Sequence, residues 1–538
     1  MGRQPGTPSI KSWNGGKVLF ALLVCVYIAP LWAFRYVPTA DGPSHLANAV
    51  VIKDYRDPAA KSLREYYVIS RRPSPNLLYH LSLVGSLYVF PPLIAEKVLL
   101  SLYVLLFAAA FRYLVVAVAG RPGPAALLVF PFVFSFSFNL GFFGWAISLA
   151  LATLGVGYYW RRRDALNVRA VIVLNALAFA IYFAHLLGWA IFAGATIALA
   201  LSEGVWRWAK ARRNGIGGRE AFRALRSKVA VVVYIAPALA VGLAYLVTYP
   251  SDYPVSRSAF PDLAHNLLRL EWLISFNVWQ RAAAYVTAAS LGALVLSIVA
   301  YKVYVTLLCR SLRVPGGWAA KDAIWVMVFG LAAFYFLCPW GGPAGGSYVS
   351  PRLALIPFLA IAVWLSTVPA RIVRRTLFIL APALAVINLY GVVLGYVKAN
   401  RDLAEYNTGL PCVTEGATVL PVHYIYATGR NNKADYMCNA ASYYVLANYG
   451  VNLLNYEADF GYFPVNWRRG APVGERVGES RGTPIYEAEA VRRHADYLVC
   501  WKVNPFCGGM RAILSAYELV HGTTHLMVFK RRGDPIRG

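Results

Sequence analysis

Charged side chains are scarce in this sequence: Asp, Glu, Lys and Arg make up 14% of 538 residues, while 58% are hydrophobic and the mean hydropathy is +0.50. A soluble chain could not hide so much apolar surface, so a string of water-soluble domains is excluded. Acidic residues are scarcer than basic ones, 25 against 52 Lys and Arg, which leaves a formal net charge of +27. The basic residues form short clusters between apolar runs rather than a stripe. They read as topology determinants facing anionic lipid, and nucleic acid is not an expected partner. Also missing are a Walker-type phosphate loop, a Gly-x-Gly-x-x-Gly turn and a His-Glu-x-x-His pair, so chemistry driven by cytoplasmic ATP has no support. No internal repeat or low-complexity stretch is evident.

What is present is a series of apolar runs long enough to cross a hydrocarbon core of about 30 Å. They predict a polytopic α-helical membrane protein with about eleven spans, near 18–34, 94–119, 124–138, 143–160, 170–184, 186–203, 229–248, 283–308, 323–338, 353–368 and 377–397. The first run follows Arg3, Lys11 and Lys17 without a clear cleavage site and reads as an uncleaved signal anchor. With the N-terminus inside, Arg121, Arg161 to Arg163, Arg207 to Lys228, Arg310, Arg313 and Arg371 to Arg375 collect on one face, which the positive-inside rule makes cytoplasmic. The stretch 75–92 is apolar enough to span. If it crossed, every later cluster would invert, so it reads as a juxtamembrane or re-entrant part of the first outer loop, 35–93. The expected division is a membrane domain over 1–397 and a soluble extracytoplasmic α/β domain over 398–538, with strands near 417–426, 497–503 and 519–530. The expected location is the plasma membrane, multi-pass, with the C-terminal domain outside.

Of seven cysteines, Cys412, Cys438, Cys500 and Cys507 fall in this last domain. An even set in an oxidising compartment predicts two disulfides, in one of three pairings, in preference to a zinc site without paired Cys-x-x-Cys knuckles.

The sharpest polar cluster is DGPSHL, residues 41–46, just beyond the first span. Asp41 there is either a partly dehydrated general base or an N-cap for a helix starting at Gly42 or Pro43. Arg352, after a Gly-rich stretch and beside Ser350, is an outward-facing cation suited to bidentate phosphate binding, or else one that snorkels to headgroups. His80 and His185 are lone histidines that read first as structural hydrogen-bonding groups. Asp252, Asp262 and His265 precede the span at 283–308 and either line a cleft or are solvated.

These motifs resemble the GT-C superfamily of integral-membrane glycosyltransferases. The resemblance rests on the signal-anchor first span, on Asp41 within DGPSHL, and on PNLLYHL at 75–81. It rests further on FNLGFFGWAISLAL at 138–151 and SPRLALIPFLAI at 350–361. It covers about the first 400 residues and implies transfer of a hexosyl or pentosyl group, with inversion, from a polyprenyl-phosphate sugar to an envelope glycan, lipid or protein hydroxyl on the outer face. It further implies Asp41 as base, His45 orienting the hydroxyl or holding a divalent cation, and Arg352 with Ser350 at the donor phosphate. No cytoplasmic nucleotide is needed, and a divalent cation is the one cofactor the resemblance allows. The rivals are a transporter or flippase for lipid-linked glycans and a non-catalytic scaffold of an envelope-assembly complex. Transporters usually carry charges near the midplane, and the charges here sit at the helix ends.

Overall fold

The computed structural model describes residues 11–249, 256–308, 323–341, 347–423, 433–446, 448–471, 476–480, 483–486, 488–503 and 510–533. Asp252, Cys309 and Cys507 lie outside the described residues.

Among the described residues, six helices are long and apolar enough to cross a membrane: Gly15–Ala33, Pro92–Ala119, Leu186–Arg213, Val278–Tyr304, Val349–Thr367 and Arg371–Cys412. Lys228–Tyr234 and Ala236–Thr248, bent by 56°, make a seventh if taken as one span. A proline in the first turn of the second segment accounts for the bend, because its ring displaces the carbonyl a turn earlier and it offers no N–H. The apolar helices Phe143–Arg162, Val168–Ala184 and Ala323–Leu337 pack among these and complete the bundle. Every predicted apolar run thus has a helical counterpart, though fewer than eleven qualify as spans by their own length and composition.

The run at 124–138 is the least regular of them. A 3-10 turn Pro124–Val129 leads into the helix Phe130–Val133. The chain then breaks at Phe134 and restarts as Phe136–Asn139, with Ser135 as its N-cap. Such a break strands carbonyls that must be satisfied inside an apolar bundle. Tyr103 donates to the Val133 carbonyl at 3.1 Å and Asn139 Nδ2 to that of Phe134 at 3.2 Å.

The loop after the first span folds into the helices Gly42–Asp54 and Lys61–Tyr66, strand β1 (Tyr67–Ile69) and the helix Leu77–Leu87. The last of these has 11 residues. At 1.5 Å per residue it is about 16 Å long, too short to cross, in keeping with a juxtamembrane reading of 75–92.

The final long helix continues without interruption to Tyr406, beyond the expected boundary at 397, and delivers the chain into the C-terminal domain. Its strands are β2 (Thr418–His423), β3 (Val451–Asn452), β4 (Val465–Trp467), β5 (Arg476–Ser480), β6 (Thr483–Tyr486), β7 (Tyr497–Trp501), β8 (Tyr517–Gly522) and β9 (Leu526–Arg531). Five form a mixed sheet in the order β3-β2-β7-β9-β8, parallel at β2 with β3 and with β7, antiparallel on the β9 side. The predicted strand at 519–530 is in fact the β8–β9 hairpin. Its turn is closed by Thr523 N–H donating to the Leu526 carbonyl at 2.8 Å.

Side chains alternate across a strand, and the two faces of β7 show it. Tyr497, Val499 and Trp501 join the apolar cluster shared with the membrane helices, while Leu498 and Cys500 join the domain's own core. This corrects the expectation of two disulfides: Cys412 and Cys500 are free thiols, with Cys500 buried in the domain core.

Strand pairing and side-chain hydrogen bonds fix the domain to the loop. β1 pairs antiparallel with β4, with Tyr67 and Trp467 stacked at 4.9 Å. Asn455 and Asn48 exchange side-chain amide hydrogen bonds of 2.8 and 3.2 Å, and Ser44 donates to the same Asn455 oxygen. Asn439 donates to the Ala40 carbonyl at 3.1 Å. At the other end of the bundle, Arg163, Arg207 and Lys228, read from sequence as cytoplasmic cations, surround the buried Glu203.

Candidate active site

The loop helices, the broken span and the C-terminal domain enclose one cavity of about 720 Å³. Asp41, His45, His80 and Arg352 line it from the membrane part, and Lys433, Asp435, Asn439, Tyr456 and Tyr462 from the domain. Trp145, Leu187, Trp189, Tyr245, Leu246 and Phe334 line an apolar portion that belongs to the helices. A similarly sized depression at Arg71, Arg72 and Tyr249 is far more open and holds no cluster of this kind.

Asp41 occupies the residue before the helix Gly42–Asp54, but its side chain makes no capping hydrogen bond, so the cap reading fails. Its carboxylate instead accepts from Asn439 Nδ2 at 3.1 Å and has Tyr456 as a second hydrogen-bonding neighbour. The backbone beneath it is held by the turn 139–142: Asp41 N–H donates to the Leu140 carbonyl at 2.9 Å and Ala40 N–H to that of Asn139 at 3.2 Å. That turn needs Gly141. Its φ is +92°, and a Cβ there would lie 2.8–2.9 Å from Gly42 N and from Asp41 N and Cβ. Asp41 lines the cavity. Burial pushes its carboxyl up, and the nearby positive groups His45 and Arg352 only partly offset this, leaving it at about 6.

One helical turn on, His45 places Nε2 3.0 Å from the Gly141 carbonyl and Nδ1 2.8 Å from Glu457 Oε1. His80 mirrors it, with Nδ1 3.0 Å from the Asn76 carbonyl and Nε2 2.9 Å from Glu457 Oε2. All three side chains are buried, Glu457 completely. Burial opposes the charged form of His45, yet the Glu457 carboxylate outweighs it and lifts the imidazole to about 9. Burial would raise Glu457, but the two histidines hold it well below the usual carboxylate range. Among the described residues, these three are the group that could hold a metal ion.

Arg352 lies in the first turn of the segment Val349–Thr367 and stacks on Phe142 with 4.0 Å from guanidinium carbon to ring centre. Nη1 donates to the Ser347 carbonyl at 3.0 Å, while Nε is buried without a hydrogen bond. Among the described residues no carboxylate comes within salt-bridge distance of it; Asp41 acts on it only at longer range, so the guanidinium faces the cavity without a direct ion pair. Lys433, by contrast, is paired with Glu271 at 2.7 Å.

The other candidates separate clearly. His185 lines the cavity, but its Nδ1 accepts from Leu187 N–H at 3.1 Å and caps the next helix, the structural role expected of a lone histidine. Ser350 is fully buried behind the cavity wall and does not line it, which corrects its assignment to the donor phosphate. Asp262 and His265 are exposed on the helix Phe260–Leu268 and line no cleft. Glu457, Asn439 and Lys433 were not singled out from sequence. Each is an isolated polar residue in the domain, and no local spacing marks it.

The fold and the cavity define a polytopic membrane protein whose enclosed site combines a raised carboxylate, an uncompensated guanidinium and an apolar arm between helices. No family model matches the chain, and no curated protein matches it. Among solved structures it is similar to ArnT from Cupriavidus metallidurans, whose crystal structure contains undecaprenyl phosphate. That similarity has 11% identity and a TM-score of 0.48 and covers 97% of this chain and 98% of that one.

Proposed function

We propose that this protein is an inverting membrane glycosyltransferase that moves a sugar from a polyprenyl-phosphate donor to an acceptor hydroxyl on the side carrying the C-terminal domain. The observation that carries this reading is one cavity holding Asp41 and the unpaired Arg352 at its polar end and continuing into an apolar arm lined by Trp189, Leu246 and Phe334. An amphiphile with an anionic head and a hydrocarbon tail matches that division of chemistry. The basic face at the opposite end of the bundle is assigned to the cytoplasm, which makes the reaction extracytoplasmic.

In the transfer, the acceptor oxygen attacks the anomeric carbon while the bond from that carbon to the phosphate oxygen breaks. Asp41 takes the hydroxyl proton; a base that titrates at about 6 is ionised near neutrality yet basic enough to accept it. Asn439 and Tyr456 fix the carboxylate, so it enters the reaction already oriented. Arg352 neutralises the departing polyprenyl phosphate. A charge-assisted contact of this kind is stronger than a neutral one and acts where negative charge develops on the leaving group.

Asp41→Asn is expected to lower transfer by about 100- to 10,000-fold and Arg352→Ala by about 100- to 1,000-fold, with both variants folded in membranes. Transfer at the wild-type rate in both would overturn the assignment.

A further inference from the structure

The two histidines and the glutamate between them make an awkward hydrogen-bonding group. A backbone carbonyl only accepts, so the nitrogen that each ring turns to one, His45 Nε2 on Gly141 and His80 Nδ1 on Asn76, must carry a proton. In neutral rings the remaining two nitrogens then present lone pairs to the Glu457 oxygens at 2.8 and 2.9 Å. That arrangement is repulsive unless two further protons or one shared cation sit there. Protons suit His80, which makes a regular hydrogen bond to Oε2. They suit His45 less well: its Nδ1 and Glu457 Oε1 are both fully buried and 2.8 Å apart, but the contact falls outside regular hydrogen-bond geometry.

We propose that His45 Nδ1, His80 Nε2 and the Glu457 carboxylate form a divalent metal site that takes Zn²⁺. The ligand atoms lie within 4.8 Å of one another. Two donors each about 2.1 Å from a zinc ion are roughly 3.0–3.4 Å apart, so the carboxylate oxygens need only draw back by a few tenths of an ångström, while the two imidazoles close by up to about 1.4 Å between them to admit the ion. Two imidazoles and one carboxylate favour zinc over magnesium or calcium, which prefer all-oxygen shells. The carbonyls of Gly141 and Asn76 supply the outer contacts that fix the tautomer of a metal-bound histidine. One divalent cation in place of two protons leaves the net charge of the cluster unchanged, so the surrounding fold tolerates either. Both histidines line the cavity while Glu457 lies behind them, which turns the open coordination position toward the cavity. The ion would also join the loop helices to the C-terminal domain, since the ligands come from both. The site goes beyond the transfer reading and does not depend on it.

The test is metal analysis of the full-length protein, purified in detergent with any affinity tag removed. One zinc per chain is expected by mass spectrometry, with a nitrogen and oxygen shell at about 2.0–2.1 Å by X-ray absorption. After chelation and dialysis, titration with Zn²⁺ restores one site, and restoration raises the unfolding temperature. His80→Ala and Glu457→Gln are expected to weaken Zn²⁺ binding by more than about 100-fold. His80→Cys is expected to bind with one added sulfur ligand at about 2.3 Å, an outcome that a purely proton-bridged triad would not give. Wild-type protein that is folded yet takes up no zinc from micromolar Zn²⁺ overturns the proposal. So does zinc uptake by His80→Ala equal to that of wild type. If His80→Ala does not fold, the wild-type and His80→Cys measurements still decide.

Discussion

Gly141→Ala is the substitution whose effect follows most directly from the geometry. At φ +92° an L side chain costs about 1–2 kcal/mol relative to its preferred regions. The added Cβ would also press on Gly42 N, Asp41 N and Asp41 Cβ at 2.8–2.9 Å. These atoms belong to the backbone or its first side-chain atom and cannot swing away, so overpacking adds about 1–3 kcal/mol. The sum, about 2–5 kcal/mol, appears as lost stability if the turn holds its place. If the turn moves instead, it carries Asp41 and the carbonyl that holds His45, and a shift of about 1 Å in a reacting group costs about 100-fold in rate. The assay pairs thermal unfolding in detergent with transfer from a polyprenyl-phosphate sugar. Gly85→Ala in the helix Leu77–Leu87 is the control, because a Cβ there meets nothing within 4 Å. Gly141→Ala with an unfolding temperature equal to that of wild type and a rate within about twofold of it would refute the claim that this turn positions Asp41.

Transfer should rise with pH and reach half its maximum at about 6, because Asp41 acts only when ionised and burial has raised its pKa to that value. A flat profile through this range, in protein shown to stay folded, would count against Asp41 as base. Asn455→Ala removes both halves of the amide exchange with Asn48 and leaves Asn48 and Ser44 buried without that partner, a loss of about 2–4 kcal/mol. Chemical denaturation measures it, and an unchanged midpoint would show that the domain is held by other contacts.

The membrane class and the C-terminal domain were legible because hydropathy is a local signal and each run reports its own environment. The break at Phe134 was not, since a short apolar stretch with two prolines reads the same whether it is continuous or interrupted by a serine cap. Asp41 stood out in sequence because it follows the first span closely, yet only the coordinates show that its side chain does not cap the helix it precedes. His45 was read as part of the Asp41 cluster and His80 as an unrelated lone histidine. What joins them is Glu457, 377 positions beyond His80, and no spacing rule reaches so far. Arg352 was visible as a cation on the wrong side of the charge map. Its lack of a direct ion pair inside the cavity, on which the proposed phosphate contact rests, is a property of the folded structure alone.

The central claim is that the cavity binds a polyprenyl phosphate with its headgroup at Arg352. The most direct measurement is an experimental structure of the full-length protein in lipid with added polyprenyl phosphate. The account predicts phosphate density within hydrogen-bonding distance of the Arg352 guanidinium and on the Asp41 side of the cavity, with the chain running along Trp189, Leu246 and Phe334. A fully occupied lipid phosphate bound elsewhere, with Arg352 left facing solvent, would contradict it.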